Sequence, residues 1–280
     1  MIHRNTIFDW PFIIGISLLF PKARIIVSHH GGRLKAVDSL KSKFSRRMLD
    51  YSLRKVDTLT YLRGEIRDWA LNVKKPPKVA FLPVGADFSF FMPEDRLACR
   101  QALGLDPNKT YAVYVGRFYS LKGVDHILRI YQEFKPKGLE LLLVGGSPAD
   151  ELYGQVLASG CKFWGHVDWH TLKTINNAAD FYIHPAFHKN FGGIDVSWME
   201  CLACGRPVLT PTFAELDFDH RELGILLNTP DDAISKTWEM MQRHLEFTRC
   251  REVARAHLDG NQAIAEKLWR VYRGENPRTP

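Results

Sequence analysis

The sequence predicts an α/β protein of two Rossmann-like domains, the first incomplete and the second a parallel sheet with helices on both faces. Three observations carry this expectation. From Tyr111 to Leu227, short β-branched or apolar runs alternate with longer stretches of helical period, the βαβ signature of a buried parallel sheet. A shorter series of the same kind occupies residues 24–82. Between the two, residues 83–98 (PVGADFSFFMPEDRLA) have the Pro, Gly and Asp content of a connection.

Element by element, the first series reads as a helix near 9–20, a strand at 24–28 (RIIVS), a helix at 39–55, a strand at 57–61 (DTLTY), a helix at 63–71 and a strand at 78–82 (KVAFL). The second gives strands at 111–115, 139–144, 161–164, 180–184, 207–210 and 224–227, with helices at 123–134, 150–158, 170–178, 194–204 and 231–245. The segment 246–273 is helical, with apolar positions at Val253, Ala256, Ile264, Leu268 and Val271. A doubly wound domain takes roughly 150 residues. The first series, with only residues 1–88 before and around it, therefore reads as the back half of a domain.

The chain has 280 residues, 45% hydrophobic and 25% charged, a balance that excludes disorder, collagen and coiled coil. Its longest apolar run, Trp10 to Phe20, is about half of the ~20 residues that cross a bilayer. Asp9 abuts that run and no small-x-small cleavage site follows Phe20, so it reads as buried structure rather than a signal peptide. Five cysteines, at 99, 161, 201, 204 and 250, point to a reducing cytosol and no disulfides.

Charge is divided unevenly. Residues 1–98 hold 17 Lys and Arg against 9 Asp and Glu, while residues 99–280 hold 21 against 22. A basic first third suits an anionic membrane surface, a lipid phosphate or nucleic acid, or is simply a solvated face. Helix 39–55 places Leu40, Phe44, Met48 and Tyr51 at three- and four-residue intervals among Lys41, Lys43, Arg46, Arg47, Arg54 and Lys55. That is the pattern of a helix lying on anionic lipid, at the inner face of a membrane; the plainer reading packs its apolar face on the sheet.

Open parallel sheets bind ligands at the carboxyl ends of their strands. After strand 111–115 come Gly116 and Arg117, then Lys122 and Gly123 opening the next helix. Glycine lets a ligand approach the backbone. Arginine offers a diphosphate a planar fork and lysine a point charge. The spacing is neither the Gly-x-Gly-x-x-Gly of a nicotinamide site nor a P-loop. Further on, Phe191-Gly192-Gly193 precedes a helix whose first turn leaves backbone N–H groups free, a ready anion cradle. Glu200 stands on that helix between Met199 and Leu202, a setting that favours a paired or ligand-bound carboxylate. Cys201-x-x-Cys204 has no second pair or histidine cluster and reads as helix packing. Asp217-Phe-Asp219 offers an Asp-x-Asp pair in an acidic loop, and no metal is assigned to it. No RNA-binding motif accompanies the aromatic residues, and nucleic acid is not expected as a partner.

Together, Y-V-G-R-x(4)-K-G at 114–123, F-W-G-H-V at 163–167, A-D-F-Y-I-H-P at 179–185 and F-G-G-I-D-V-S-W-M-E-C-L-A-C-G-R-P-V at 191–208 resemble the donor domain of retaining GT-B glycosyltransferases of family 4. The likeness covers roughly residues 24–273 and is strongest from 111 to 210. It implies a partial acceptor-side domain at 1–88, a linker at 89–98, a donor domain at 99–255 and a C-terminal helix, 256–280, that packs back toward the first domain. It implies that Arg117 and Lys122 hold the donor diphosphate, and that Gly116, Gly192, Gly193 and Ile194 approach phosphate and sugar. Glu200 would bond the ribose, while His166 and Val167 would meet the base.

The family pairs two glutamates with seven residues between them, yet the position eight before Glu200 is Gly192, and Asp195 is the nearest carboxylate. Asp195 and His30, the latter in a His29-His30-Gly31-Gly32 loop like that of the first domain, are the further catalytic candidates. The implied reaction is retaining transfer from a UDP- or GDP-sugar to a lipid-linked or polysaccharide acceptor through an oxocarbenium-like state. No metal cofactor is expected, because protein cations and a helix N-terminus would stabilise the leaving diphosphate. The competing expectation is a catalytically silent nucleotide-sugar-binding remnant or partner subunit, since the family's segments before the His-Gly loop have no counterpart here.

Overall fold

In a computed structural model of the chain, the described residues are 1–4, 10–29, 43–62, 64–187, 195–216 and 218–275. The chain divides into two compact units, Met1–Val84 with Gln262–Pro280, and Gly85–Asn261.

The first unit holds four parallel strands in sequential order: β1 (Ile2–Arg4), β2 (Ile25–His29), β3 (Thr58–Tyr61) and β4 (Lys78–Phe81). Helices α1 (Trp10–Leu19), α2 (Lys43–Leu53) and α3 (Gly64–Leu71) make the crossovers. Every residue of β2 and β3 is buried, which is why both read as continuous apolar or β-branched runs. β1 was not anticipated: it is three residues long, too short to show a period. Helix α2 turns a different face inward from the expected one. Leu49 and Leu53 are buried, Met48 is half-buried and Tyr51 is exposed, because Leu49, Ser52 and Leu53 form an i, i+3, i+4 set of their own. Leu40 lies outside the described residues.

The second unit opens with α4 (Arg96–Ala102) and continues β5 (Thr110–Gly116), α5 (Val124–Phe134), β6 (Leu139–Gly145), α6 (Tyr153–Ala158), β7 (Lys162–Phe163), α7 (Trp169–Ala178), β8 (Phe181–Ile183), α8 (Val196–Ala203), β9 (Val208–Thr210), β10 (Gly224–Leu226), α9 (Ala233–Arg243) and α10 (Cys250–Leu258). Its six strands are all parallel, in the order β10-β9-β8-β5-β6-β7. Helix α5 shows why the helical period was readable: Val124, Ile127, Leu128, Tyr131 and Phe134 bury one face at three- and four-residue steps. Asp180 fastens the amino end of this sheet, accepting from Tyr111 N at 2.8 Å, Arg100 Nη2 at 2.6 Å and Arg96 Nη1 at 2.7 Å.

Two expectations at the unit boundary are corrected. Residues 89–98 are not a free connection, because Asp95 caps α4 by accepting from Ala98 N at 2.7 Å and the segment belongs to the second unit. The helical stretch 246–273 is two helices, α10 and α11 (Ala263–Arg273), parted at Asp259-Gly260, where Gly260 N donates to Ala86 O and Asp259 bridges to Ala86. The division therefore falls at 84/85 and 261/262, rather than at 88/89 and 255/256. Helix α11 belongs to the first unit, where Val271 packs with Ile26 and Ala80.

Candidate functional site

The strand order of the second sheet reverses at β5, which pairs with β6 on one side and β8 on the other. A crevice for a ligand opens at the carboxyl ends of two such strands. Gly116 and Arg117 leave β5 there, and His184 and Pro185 leave β8.

Arg117 is steered by a residue that sequence reasoning missed. Its Nε donates to Asp150 Oδ1 at 2.7 Å and its Nη2 to the Tyr119 hydroxyl, while the side chain stays 53% exposed. Asp150 also accepts from Phe118 N at 2.9 Å and Ser147 N at 3.1 Å. The Arg117 bond, with the backbone amide of Phe118, holds the Asp150 carboxyl down at about 2. Asp150 thus stays ionised and fixes the base of the guanidinium. Nη1 carries no bond among the described residues.

Lys122 reaches the opposite wall. Its Nζ lies 2.6 Å from Asp195 Oδ2, and Asp195 is the residue before α8. This pair brings the amino end of α8, with its free N–H groups and positive dipole end, to the β5–α5 connection. His184 Nε2 sits 3.4 Å from the same carboxylate oxygen without hydrogen-bond geometry, and the ring stacks on Tyr114 at 6.1 Å. Burial pushes the imidazole down to about 4, against the pull of Asp195, so it is neutral near pH 7. Below it, Tyr182 bonds Ser197 Oγ at 2.8 Å and donates to Val115 O at 3.1 Å, tying β5, β8 and α8 together.

Glu200 lies one turn beyond Ser197 on the half-open face of α8, whose other side buries Trp198, Met199, Cys201 and Leu202. Burial alone lifts its carboxyl to about 7, and its carboxylate has no partner among the described residues. Such a group is poised to accept from a ligand hydroxyl. Cys201 and Cys204 are buried free thiols pushed up by burial, packed where α8 meets α10.

The structure therefore places Gly116, Arg117 and Lys122 on the β5–α5 connection, joins Lys122 to Asp195 at the head of α8, and sets Glu200 further along that helix. His166 is exposed and Val167 half-buried after β7, and neither is bonded to the cations among the described residues. His30, Gly192, Gly193, Ile194 and Asp217 lie outside the described residues. Asp219 is held by Arg221 and kept near 2 by it. His184 carried a sequence signal, closing the strand expected at 180–184. Asp150 carried none.

Two parallel α/β sheets flanked by helices, the second with its strand order reversing at β5, match the fold of GT-B glycosyltransferases. Residues 109–243 match the family model described as glycosyl transferases group 1. Among curated relatives, the D-inositol 3-phosphate glycosyltransferase of Segniliparus rotundus is 33% identical over 146 residues, 48% of this chain and 32% of that protein. An uncharacterised glycosyltransferase of Methanocaldococcus jannaschii is 26% identical over 231 residues, 76% of this chain and 56% of that protein. The matches thus span about a third to just over half of these relatives' length. Among solved structures, sucrose-phosphate synthase from Thermosynechococcus elongatus aligns with a TM-score of 0.73 at 20% identity, covering 97% of this chain and 72% of the other. Anabaena HepE in complex with UDP-glucose aligns at 0.69 and 18% identity, covering 95% and 78%. No helix among the described residues is long and apolar enough to cross a membrane.

Proposed function

We propose that the chain is a glycosyltransferase that takes a sugar from a UDP- or GDP-linked donor and passes it, with retention, to a lipid-linked or polysaccharide acceptor. One observation carries the reading: Arg117 and Lys122 stand on one connection at the strand-order reversal, and Asp195 joins Lys122 to the amino end of α8. A diphosphate is the ligand whose charge and size suit two cations beside a helix N-terminus. The group 1 match and the UDP-glucose bound by HepE support the same donor class.

When the sugar–oxygen bond breaks, its electron pair leaves on the diphosphate. Arg117, pre-aimed by Asp150, and Lys122 stabilise that developing charge, and the positive end of α8 adds to it. Asp195, released from Lys122 by the diphosphate, faces the sugar as the catalytic carboxylate. Glu200 accepts from the ribose hydroxyls. Calorimetry with UDP and GDP, followed by product formation from labelled donor and a lipid acceptor, tests the proposal. Absence of binding by either nucleotide would refute it.

A second reading, donor binding without transfer, is favoured by one fact: Arg117, Lys122, Asp195 and Glu200 all lie in the second unit. Nucleotide-sugar binding with neither hydrolysis nor transfer would establish that alternative.

A further inference from the structure

The first unit concentrates exposed apolar and cationic residues at one end. Leu18, Leu19 and Phe20, at and just beyond the close of α1, are 70%, 75% and 58% exposed. Three consecutive large apolar side chains in water are costly and mark an interaction surface. The topology sets other turns beside them. Ile25 N donates to Asp57 Oδ2 at 2.7 Å, Asp57 N to Ile25 O at 2.9 Å and Lys78 N to Asp57 O at 3.0 Å, so the entries to β2, β3 and β4 lie side by side. The turns leading into those entries therefore share one edge of the sheet. They carry Lys22, Arg54, Lys55, Lys74 and Lys75, and Lys78 begins β4; all six are exposed. Of the acidic residues at this end, Asp57 has Oδ2 engaged by the Ile25 amide, and Glu275, next to the Gly274 carbonyl that Lys78 Nζ approaches at 3.4 Å, lies 3.1 Å from Arg273 Nε.

We propose that this end of the first unit docks on an anionic lipid bilayer, with Leu18, Leu19 and Phe20 entering the headgroup region and the six cations lying over acidic headgroups. An apolar tip among lysines and arginines is the composition of an interfacial anchor, and charge complementarity selects the surface. The contact is separate from the one expected of α2, which concerned Leu40, Phe44, Met48 and Tyr51. It is independent of the transferase reading, because none of its residues belongs to the donor crevice.

The test is co-sedimentation of the full chain with vesicles of phosphatidylcholine alone and of phosphatidylcholine and phosphatidylglycerol in equal parts. Recovery is expected with the mixed vesicles only, declining as salt is raised. Lys74→Glu with Lys75→Glu is expected to lower the partition coefficient by at least about tenfold, as each basic residue near the surface is worth on the order of fivefold. Leu18→Ser with Leu19→Ser is expected to lower it while keeping the salt dependence, with circular dichroism showing that both variants fold. Equal recovery with the two vesicle types, or recovery unmoved by both double variants, overturns the proposal. So does binding to RNA, or self-association abolished by the leucine variant, when no vesicle binding accompanies it.

Discussion

Lys122 Nζ lies 2.6 Å from Asp195 Oδ2, so this cation is held by a carboxylate at the head of α8. On the proposed donor reading, a diphosphate takes Lys122 from Asp195 and leaves that carboxylate facing the sugar. Asp195→Asn is therefore expected to tighten UDP binding by a few-fold while slowing transfer. Its effect on folding should stay within about 1 kcal/mol, because the pair is partly exposed. Calorimetry and initial rates on the same preparation separate the two effects, and weaker UDP binding would show that Asp195 holds the ligand rather than competing with it.

Glu200 sets a pH dependence. Its folded carboxyl titrates near about 7 against an ordinary 4.5, so between those values the folded chain keeps a proton that the unfolded chain has lost. Stability accordingly falls as pH rises through that window and levels off above it. Glu200→Gln removes the effect: it should melt with the wild type at the acid end and be more stable above about 7, by on the order of 1–3 kcal/mol. A melting difference that is constant across the range would rule this out. On the proposed reading a ribose hydroxyl donates to the ionised form, so wild-type affinity for uridine should rise with pH through the same window.

Asp150 acts through Arg117. Its carboxyl, held at about 2 against 3.8, contributes stability that is complete above the ordinary value and lost as pH falls toward the lower one. Asp150→Asn should cost on the order of 1–3 kcal/mol of folding stability. It should also weaken UDP binding by about tenfold, as should Arg117→Ala. In the Arg117→Ala background, Asp150→Asn should still destabilise the fold yet change UDP affinity no further. Additive losses in affinity, measured by calorimetry on the double variant, would mean that Asp150 touches the ligand itself.

What was legible in the sequence was local. The core strands of the second sheet follow from runs such as Leu139–Val144, and Arg117, Lys122 and Glu200 follow from charged residues just after a strand or on a helix between buried strands. Asp150 was not legible, because 33 residues and a strand crossover separate it from Arg117. The Lys122–Asp195 pair joins residues 73 apart for the same reason. Helix α4 hid in a Pro- and acid-rich stretch because its start depends on one cap, Asp95. In α2, two apolar sets competed on one helix, and the contact with the rest of the unit chose Leu49 and Leu53.

Gly123 gives the last prediction. It opens α5 with φ 78° next to Lys122, and a Cβ there would stand 2.2 Å from the Pro185 carbonyl oxygen at the exit of β8. Gly123→Ala must therefore suffer left-handed strain and also drive the start of α5 away from β8, shifting Lys122 from Asp195. Gly138, with φ 92° and open space around it, meets only the strain. Gly138→Ala should cost on the order of 1 kcal/mol and leave UDP binding intact. Gly123→Ala should cost about 3 kcal/mol or more and weaken UDP binding as well. Denaturant unfolding and calorimetry on both variants make the comparison; equal losses at the two positions would show that contact with Pro185 does not position the β5–α5 connection.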